Sequence, residues 1–323
     1  MRPKSSERGA ALLTVLMLVA VIGVIAAASL DRLTLATRAS INLIALSQAR
    51  AYGLAAETIA TSRIADLLAT DSKKTTLAGD WMGRAVPFPI DGGTATAKLI
   101  DGGNCFNLNS LANGDFETGL TANPIAIAQF EGLMTLVGIP QNSVRSLAQA
   151  TADWIDSDNA PLPGGAEDGA YTPSLAANTL MVDASELRII AGMTGDHYRL
   201  IRPWVCALPI AGLSPINVNT LTPGQAPLIA MLVPNKLSVQ TAKQMIDERP
   251  VSGYATAVNF WKLPALTGLT PAAEVMAQTQ VRTRWFGLDV SIALAGAEHR
   301  QVSLIDGENP PPRVVSRSYG DPQ

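Results

Sequence analysis

A short stretch rich in proline and glycine carries a cluster of carboxylates that could bind a hard metal ion. Calcium takes about six to eight oxygen ligands, which carboxylates and loop carbonyls supply. The stretch is not an EF-hand, because Pro161 occupies the position of that motif's turn glycine. The residues alone leave two interpretations open, a cation site or a solvated acidic loop whose carboxylates cap helix ends. The candidate ligands are Asp156, Asp158, Glu167 and Asp168, whereas Asp153 is expected on the preceding helix.

Two cysteines and two histidines are all that the chain offers for thiol or imidazole chemistry. This inventory is too small for a zinc site of the usual Cys/His kind. Cys105 and Cys206 both lie in strand-like sequence, so we predict a disulfide in an oxidising compartment, with two buried free thiols as the alternative. Such a bridge would close a loop of about a hundred residues and would stabilise the fold by up to about 4.7 kcal/mol in the chain-entropy model.

The remaining motifs argue against catalysis and nucleic-acid binding. The net charge of -3 gives no basic footprint for DNA or RNA. No Gly-x-Ser-x-Gly, phosphate loop or His-Glu-x-x-His occurs, and His197 and His299 stand far apart without a nucleophile. A secreted hydrolase built on Asp153 and Asp156 is an alternative, although a carboxylate pair in a loop is more often a ligand or a cap. We therefore expect a protein that is not an enzyme.

The elements that position these residues begin with an apolar run without charges over residues 10–30. As a helix it is about 30 Å long, which is enough to cross a bilayer core. Basic residues precede the run, so the leader should stay cytoplasmic and the bulk of the chain should be exported. A signal peptide cut near Ser29 is the competing interpretation, because small residues at 26–29 resemble a cleavage site.

An apolar stripe after the run favours one long helix from residue 10 to about residue 68, half in the membrane and half packed on a domain. No proline interrupts this stretch. The stripe consists of Ile41, Ala45, Ala49, Tyr52, Ala56, Ala60, Ile64 and Leu67.

The N-terminus resembles the leader of a type IV prepilin. Basic residues lead to Arg8-Gly9, and Ala10-Ala11-Leu12-Leu13-Thr14 opens the apolar run. The resemblance implies that a prepilin peptidase cuts after Gly9, that the membrane helix is retained, and that the new N-terminal Ala10 is methylated.

Thr14 stands at the fifth mature position, where most pilins carry a glutamate. The K-type minor pseudopilins of type II secretion characteristically lack that glutamate, and the whole chain is similar to them in size and motifs. An unpaired charge in lipid or in a filament core is costly, so a subunit with Thr14 can sit at the leading end of a pseudopilus. The supporting segments are 88–93, 105–109, 153–156 and 216–219.

This resemblance implies a pseudopilus-tip complex with the I-type and J-type minor pseudopilins, which starts assembly for the export of folded periplasmic proteins. It also implies a single-pass protein of the inner membrane whose bulk lies in the periplasm, and it favours calcium at the acidic loop. The alternative is an anchored periplasmic binding or scaffold protein that does not polymerise.

The expected fold class is α+β, with a pilin-like long N-terminal helix on an antiparallel sheet and a large inserted helical domain in two related halves. Residues 94–100 and 104–108 read as a hairpin, and so do residues 281–294 and 300–305. Phe106-Asn-Leu-Asn-Ser-Leu111 is echoed by Ile216-Asn-Val-Asn-Thr-Leu221, and serine caps are expected at Ser143 and Ser238. Such halves resemble helix-hairpin-helix modules, but Gly192 and Gly268 lack neighbouring basic residues, so a scaffold for protein contacts is favoured over DNA binding. The predicted segments are a leader (1–9), a helix and linker (10–85), a sheet (86–108 and 278–308), an insert (109–277, with halves 109–203 and 214–277) and a disordered tail (309–323).

Overall fold

The computed structural model describes residues 5–115 and 117–320, with the backbone alone for residues 5–8. The first part of the predicted leader, residues 1–4, lies outside the described residues, as do residues 321–323 of the predicted tail. The helices are α1 (Ser5–Thr70), α2 (Pro124–Leu136), α3 (Gln141–Ile155), α4 (Gly195–Ile201), α5 (Ala226–Ala230), α6 (Val239–Asp247), α7 (Ala257–Trp261) and α8 (Ala273–Gln278). Short 3-10 turns cover Leu108–Leu111, Asp168–Ala170, Ala184–Ile189, Arg202–Trp204, Pro223–Gln225 and Pro264–Leu266. The strands are β1 (Ala85–Phe88), β2 (Gly93–Asp101), β3 (Phe106–Asn107), β4 (Ala112–Asp115), β5 (Gly119–Ala122), β6 (Val205–Cys206), β7 (Ile216–Asn217), β8 (Thr279–Gln280), β9 (Trp285–Leu294), β10 (Ala297–Asp306) and β11 (Arg313–Tyr319).

Helix α1 is one uninterrupted element of 66 residues, as the sequence predicts. It contains no proline, which would remove a backbone hydrogen bond and kink it. Residues 9–44 are exposed throughout, and the buried stripe starts at Ala45. The prediction that the stripe begins at Ile41 is wrong, because that side chain is 53% exposed and lies before the part of the helix that the sheet covers.

The sheet has five antiparallel strands in the order β1-β2-β9-β10-β11. The predicted C-terminal hairpin is present as β9 and β10, but its connection is tighter than expected. Only Ala295 and Gly296 separate the strands, with φ of 49° and 82°. A two-residue turn with positive φ at both positions matches the twist of the paired strands. Apolar side chains of one sheet face pack on the α1 stripe to form the smaller of two cores.

The disordered tail predicted for residues 309–323 is wrong over β11, which pairs with β10 at the edge of the sheet. The segment is polar and mostly exposed, so its sequence lacks the apolar alternation that marks a strand. Two long-range contacts hold it in place. Val314 packs against the core, and Arg317 forms an ion pair with Glu57 of α1.

The hairpin predicted for residues 94–100 and 104–108 is also wrong. Strand β2 pairs with β1 and β9, whereas β3 pairs in parallel with β6 about a hundred residues away in the chain. The glycine turn that follows Asp101 leads the chain out of the sheet rather than back along it, since the Asp101 carboxylate accepts the Gly103 N–H at 3.0 Å.

The inserted helical domain leaves the sheet after β2, returns to it at β9, and forms the larger core. Each half is closed by a two-residue parallel pair, β3 with β6 and β7 with β8. Gly192 and Gly268 both adopt φ of 83° at corresponding places in the two halves. Ser238 caps α6 as predicted, but Ser143 does not cap α3, which already begins at Gln141 after Pro140.

The Asn-x-Asn motifs perform the same task in both halves. The Asn109 amide donates to the Met181 carbonyl and accepts the Met181 N–H, at 2.9 and 2.7 Å. The Asn219 amide makes the same two bonds with Tyr254, at 3.0 and 2.7 Å. All four asparagines of the two motifs are buried. Their amide groups replace strand hydrogen bonds where the strands are only two residues long.

Cys105 and Cys206 form the predicted disulfide, with a Cα–Cα distance of 5.8 Å. The bond lies beside the β3–β6 pair, and its cysteines stand 101 positions apart in the sequence. It therefore closes the first half of the insert covalently at the place where the backbone pair closes it by hydrogen bonds.

Glu57 is the charged side chain that α1 buries against the sheet. Its carboxylate accepts two hydrogen bonds from the Arg317 guanidinium, at 2.7 and 2.8 Å, and one each from Gln301 and Ser303 of β10, at 2.7 and 2.6 Å. Burial acts to raise the pKa of Glu57, but Arg317 and these hydrogen bonds outweigh it and hold the pKa below 4.5. The group ties α1 to both β10 and β11.

We expect Arg317→Met to lower the free energy of unfolding by about 1–3 kcal/mol at about pH 7, because Glu57 is left buried without its cation. The Arg317 side chain is 41% exposed, which reduces the effect below that of a fully buried pair. The lowered pKa means that the wild-type contribution exists above pH 4.5 and is lost as the pH falls through the lowered value. Denaturant unfolding at a series of pH values measures both effects.

The matched control is the double variant Glu57→Gln with Arg317→Met, which removes both charges and should recover part of the loss. A single variant as stable as the wild type at neutral pH would contradict the assigned role of the pair.

Candidate metal centre and assembly helix

The acidic side chains gather where α3 ends. Asp156 is the C-cap residue of α3, and its extended backbone turns the chain into the loop. One carboxylate oxygen from each of Asp156, Asp158 and Glu167 lies within 4.8 Å of the other two. Asp156 and Glu167 are buried, and Asp158 is exposed. The structure therefore brings together three of the four predicted ligands, from both ends of one loop.

Asp153 lies on α3, as expected, and anchors the loop by hydrogen bonds. Its buried carboxylate accepts the Leu162 N–H at 3.1 Å and the Ala166 N–H at 2.8 Å. A Cβ atom at Gly165 would stand 1.7 Å from Asp153 Oδ2, so the loop can pass this close only with glycine at that position. The Gly164-Gly165 pair in the sequence was the available signal for this contact, and it was missed.

Asp168 is not part of the group. Its Oδ1 accepts the Ala176 N–H at 2.9 Å and so anchors the next stretch of the loop. Asp168 begins the 3-10 turn Asp168–Ala170, which directs its side chain differently from that of its neighbour Glu167. The sequence could not show which of these two adjacent carboxylates belongs to the cluster, because their directions depend on this local backbone turn.

The carboxylates of the cluster lie close together, and two of them are buried. Asp156 Oδ1 and both carboxylate oxygens of Glu167 are buried and find no hydrogen-bond partner within the described ranges. Burial, followed by the charges of Asp158, Asp153 and Glu167, raises the pKa of Asp156 to about 7. Burial and the charges of Asp153, Asp158 and Asp168 raise the pKa of Glu167 to about 7. Buried carboxylates of this kind are normally paired or coordinate a metal ion.

The donor set fits a hard divalent cation. Three carboxylates supply only oxygen ligands, which calcium and magnesium prefer over the nitrogen and sulfur that zinc commonly takes. The unpartnered oxygens of Asp156 and Glu167 are the atoms with free capacity to bind it. Loop carbonyls and water would complete the coordination.

The second candidate region is the start of α1. Gly9 and Ala10 lie in its first turns and are exposed, and the Thr14 hydroxyl donates to the Ala11 carbonyl at 2.9 Å within the helix. Of the described helices, α1 is the one that is long and apolar enough to cross a membrane, and its most apolar window is wholly exposed. An exposed apolar surface of this size is typical of a segment that contacts a membrane or other proteins.

Comparison with known proteins relates the chain to one family. Two family models described as "Type II secretion system (T2SS), protein K" match residues 104–210 and 216–282. The "Type II secretion system protein K" of Pectobacterium carotovorum subsp. carotovorum is 34% identical, covering 98% of each chain. That of Klebsiella pneumoniae is 33% identical, covering 97% of each chain.

A solved structure agrees with the sequence matches. A chain in the crystal structure of the GspK-GspI-GspJ complex from enterotoxigenic Escherichia coli superposes with a TM-score of 0.73 and 28% identity. The match covers 85% of this chain and 96% of that chain. It supports the long helix, the antiparallel sheet and the additional helical region as one shared fold.

We expect Asp156→Asn to stabilise the metal-free protein, by about 1 kcal/mol at about pH 8, because it removes one charge from a repelling group. A pKa raised to about 7 means that the wild-type cluster favours folding below about pH 4 and loses that contribution as the pH rises through 7. Thermal unfolding in excess EDTA across this pH range tests the effect. The stability of the variant should depend less on pH than that of the wild type. A variant less stable than the wild type at alkaline pH would refute this electrostatic account.

Proposed function

Because the chain belongs to the family of type II secretion system protein K, the K-type minor pseudopilins, we propose that it caps the pseudopilus tip and helps to start pseudopilus assembly for the export of folded periplasmic proteins. The observation that carries the proposal is the near-complete match to protein K relatives together with the wholly exposed apolar start of α1. The role that we propose is structural, in keeping with this family.

The partners proposed for this chain are the I-type and J-type minor pseudopilins. A similar chain occurs in a complex with GspI and GspJ, and the two folds agree over most of their lengths.

Two features of the chain suit a tip position. Thr14 places a neutral hydroxyl where a carboxylate would need a partner from a preceding subunit, and this hydroxyl is already bonded within its own helix. The insert between β2 and β9 is larger than the sheet that carries it. A body of this size is easier to place at the end of a filament than between stacked subunits.

Residues 10–30 would hold the protein in the inner membrane in a single pass, with the body in the periplasm. The disulfide fits this placement, because disulfides persist in oxidising compartments. Processing by a prepilin peptidase would cut between Gly9 and Ala10 and would leave α1 almost intact.

Intact mass and N-terminal sequencing of the full chain from its native membrane test the processing step. We expect the mature protein to begin at Ala10, with a mass increment for one methyl group, and we expect Gly9→Leu to leave the leader uncut and to abolish incorporation into the tip complex. A matched Gly23→Leu variant, which lies within the span, should still be cut. A mature start near Asp31 would mean signal-peptide cleavage and would exclude the pseudopilin role, and normal secretion by Gly9→Leu would favour an anchored protein that does not polymerise.

Calcium is the cation proposed for the acidic cluster, with Asp156, Asp158 and Glu167 as carboxylate ligands. The support for it is the three convergent carboxylates and their unpartnered buried oxygens. The bound ion would relieve the repulsion among the carboxylates and fix the loop between α3 and the rest of the first half of the insert. Asp153 would position the loop, through the N–H groups of Leu162 and Ala166, without needing to touch the ion.

Calcium titration followed by thermal unfolding and calorimetry tests this site. A single site gives about 2.7 kcal/mol of stabilisation at a free calcium concentration a hundred times the dissociation constant. We expect Asp158→Asn to weaken binding at least tenfold, since each removed carboxylate lowers the charge that attracts the ion. The matched control is Asp168→Asn, which changes a neighbouring carboxylate outside the cluster and should retain binding. An equal loss in both variants would contradict the assigned ligand set, and no calcium effect on the wild type would reject the site.

A further inference from the structure

An apolar groove lies beside α1 on the sheet face that the helix leaves uncovered. Helix α1 packs on β9 and β10, and strands β1 and β2 extend beyond it. The groove between them has a volume of about 530 Å³. Its wall is formed by Ala56, Ile59 and Ala60 of α1, and its floor includes Val86 and Leu99. Ile59 is 57% and Val86 53% exposed, so this is an open apolar surface rather than part of the core.

The shape of the groove favours a helix as the occupant. The lining residues on α1 run from Ala56 to Thr70 and recur every three or four positions, which spans about 21 Å, or about four helical turns. The small side chains of Ala56 and Ala60 allow a second helix to approach closely. Strand addition to the free edge of β1 is disfavoured, because β1 has only four residues and Pro87 has no N–H to donate.

Two arginines give the groove a positive rim. Arg63 and Arg84 line the groove and are exposed, and neither forms an ion pair or a side-chain hydrogen bond in the part of the chain that the structure describes. Asp66 lies on the same rim but pairs with neither of them. The rim therefore carries an excess of unpaired positive charge, which is complementary to carboxylates on the occupant.

The position of the groove excludes lipid as the occupant. Ala56 lies 26 residues beyond Leu30, where the apolar run ends, which is about 39 Å along a straight helix. That distance exceeds the thickness of a bilayer core, so the groove lies well clear of the membrane that residues 10–30 would enter.

We propose that this groove receives an amphipathic helix, apolar on one face and carrying carboxylates beside it, from a neighbouring subunit of the tip complex. The inference rests on the proposed function and adds to it a specific docking surface. Apolar side chains of that helix bury Ile59 and Val86, and its carboxylates pair with Arg63 and Arg84.

The test uses the full chain, produced with the I-type and J-type subunits and the prepilin peptidase of its own secretion system, and extracted in mild detergent. The double variant Arg63→Glu with Arg84→Glu should lower the amount of captured partner at least tenfold. The control is Arg145→Glu, which changes an exposed arginine on α3 far from the groove and should leave capture unchanged. Equal melting temperatures of the variants and the wild type show that the fold is intact.

A cysteine at position 59 gives the second measurement. Ile59→Cys should form a disulfide with a cysteine introduced on the apolar face of one partner's helix, whereas Ser146→Cys on α3 should not. If neither the double charge reversal nor the Val86→Asp variant lowers the amount of captured partner, the docking surface is wrong. The tip-complex role would then still stand. A crosslink from position 59 to a second copy of this chain alone would also overturn it. A wild-type chain that captures neither partner would reject the tip-complex role and the docking surface together.

Discussion

The fold depends on one buried polar junction, where the insert leaves the sheet and returns to it. The Asp101 carboxylate, at the end of β2, accepts hydrogen bonds from the hydroxyls of Thr220 and Thr283 and from the Gly103 N–H. Burial raises the pKa of Asp101, and the hydrogen bonds from Thr220, Thr283 and Gly103 act in the opposite direction. Because Thr220 belongs to the second half of the insert and Thr283 to the chain re-entering the sheet, one carboxylate fixes three passing segments.

The linker after α1 joins the same junction. The Thr75 carbonyl accepts a hydrogen bond from the Asn217 side-chain amide at 3.3 Å. The Thr75 hydroxyl accepts one from the Thr283 N–H at 3.2 Å. The Asn104 side chain adds hydrogen bonds with the backbone of Asn217 and with the Thr220 hydroxyl. Directional hydrogen bonds specify orientation more strictly than apolar contact does, so this arrangement can hold a large insert at a fixed angle to a small sheet. The two halves are joined in the same manner, by the reciprocal buried amide pair of Gln129 and Gln278.

Local sequence patterns predicted the elements whose cause is local. The apolar run and stripe predicted α1, the repeated Asn-x-Asn motif indicated two related halves, and the acidic loop supplied three residues that do converge. The pairing of β3 with β6, the strand β11 and the exclusion of Asp168 were not predicted. Each depends on a partner distant in sequence or on one backbone turn, and hydrophobic periodicity carries no information about either. The two cysteines, at positions 105 and 206, were the one long-range pair that chemistry alone could suggest.

The cost of an unpaired charge away from water accounts for the charges in two stretches of α1. Where the helix would be surrounded by lipid or by other helices, from residue 10 to residue 30, it carries no charged side chain, and Thr14 satisfies its hydroxyl on its own backbone. Where the sheet covers the helix, it buries Glu57, because β10 and β11 supply a guanidinium and two further donors. The charge that the sheet buries on α1 is thus one that the same chain pairs. The Glu57 group therefore attaches the sheet to α1 within one chain, and the exposed apolar residues 10–30 need not contribute to that attachment.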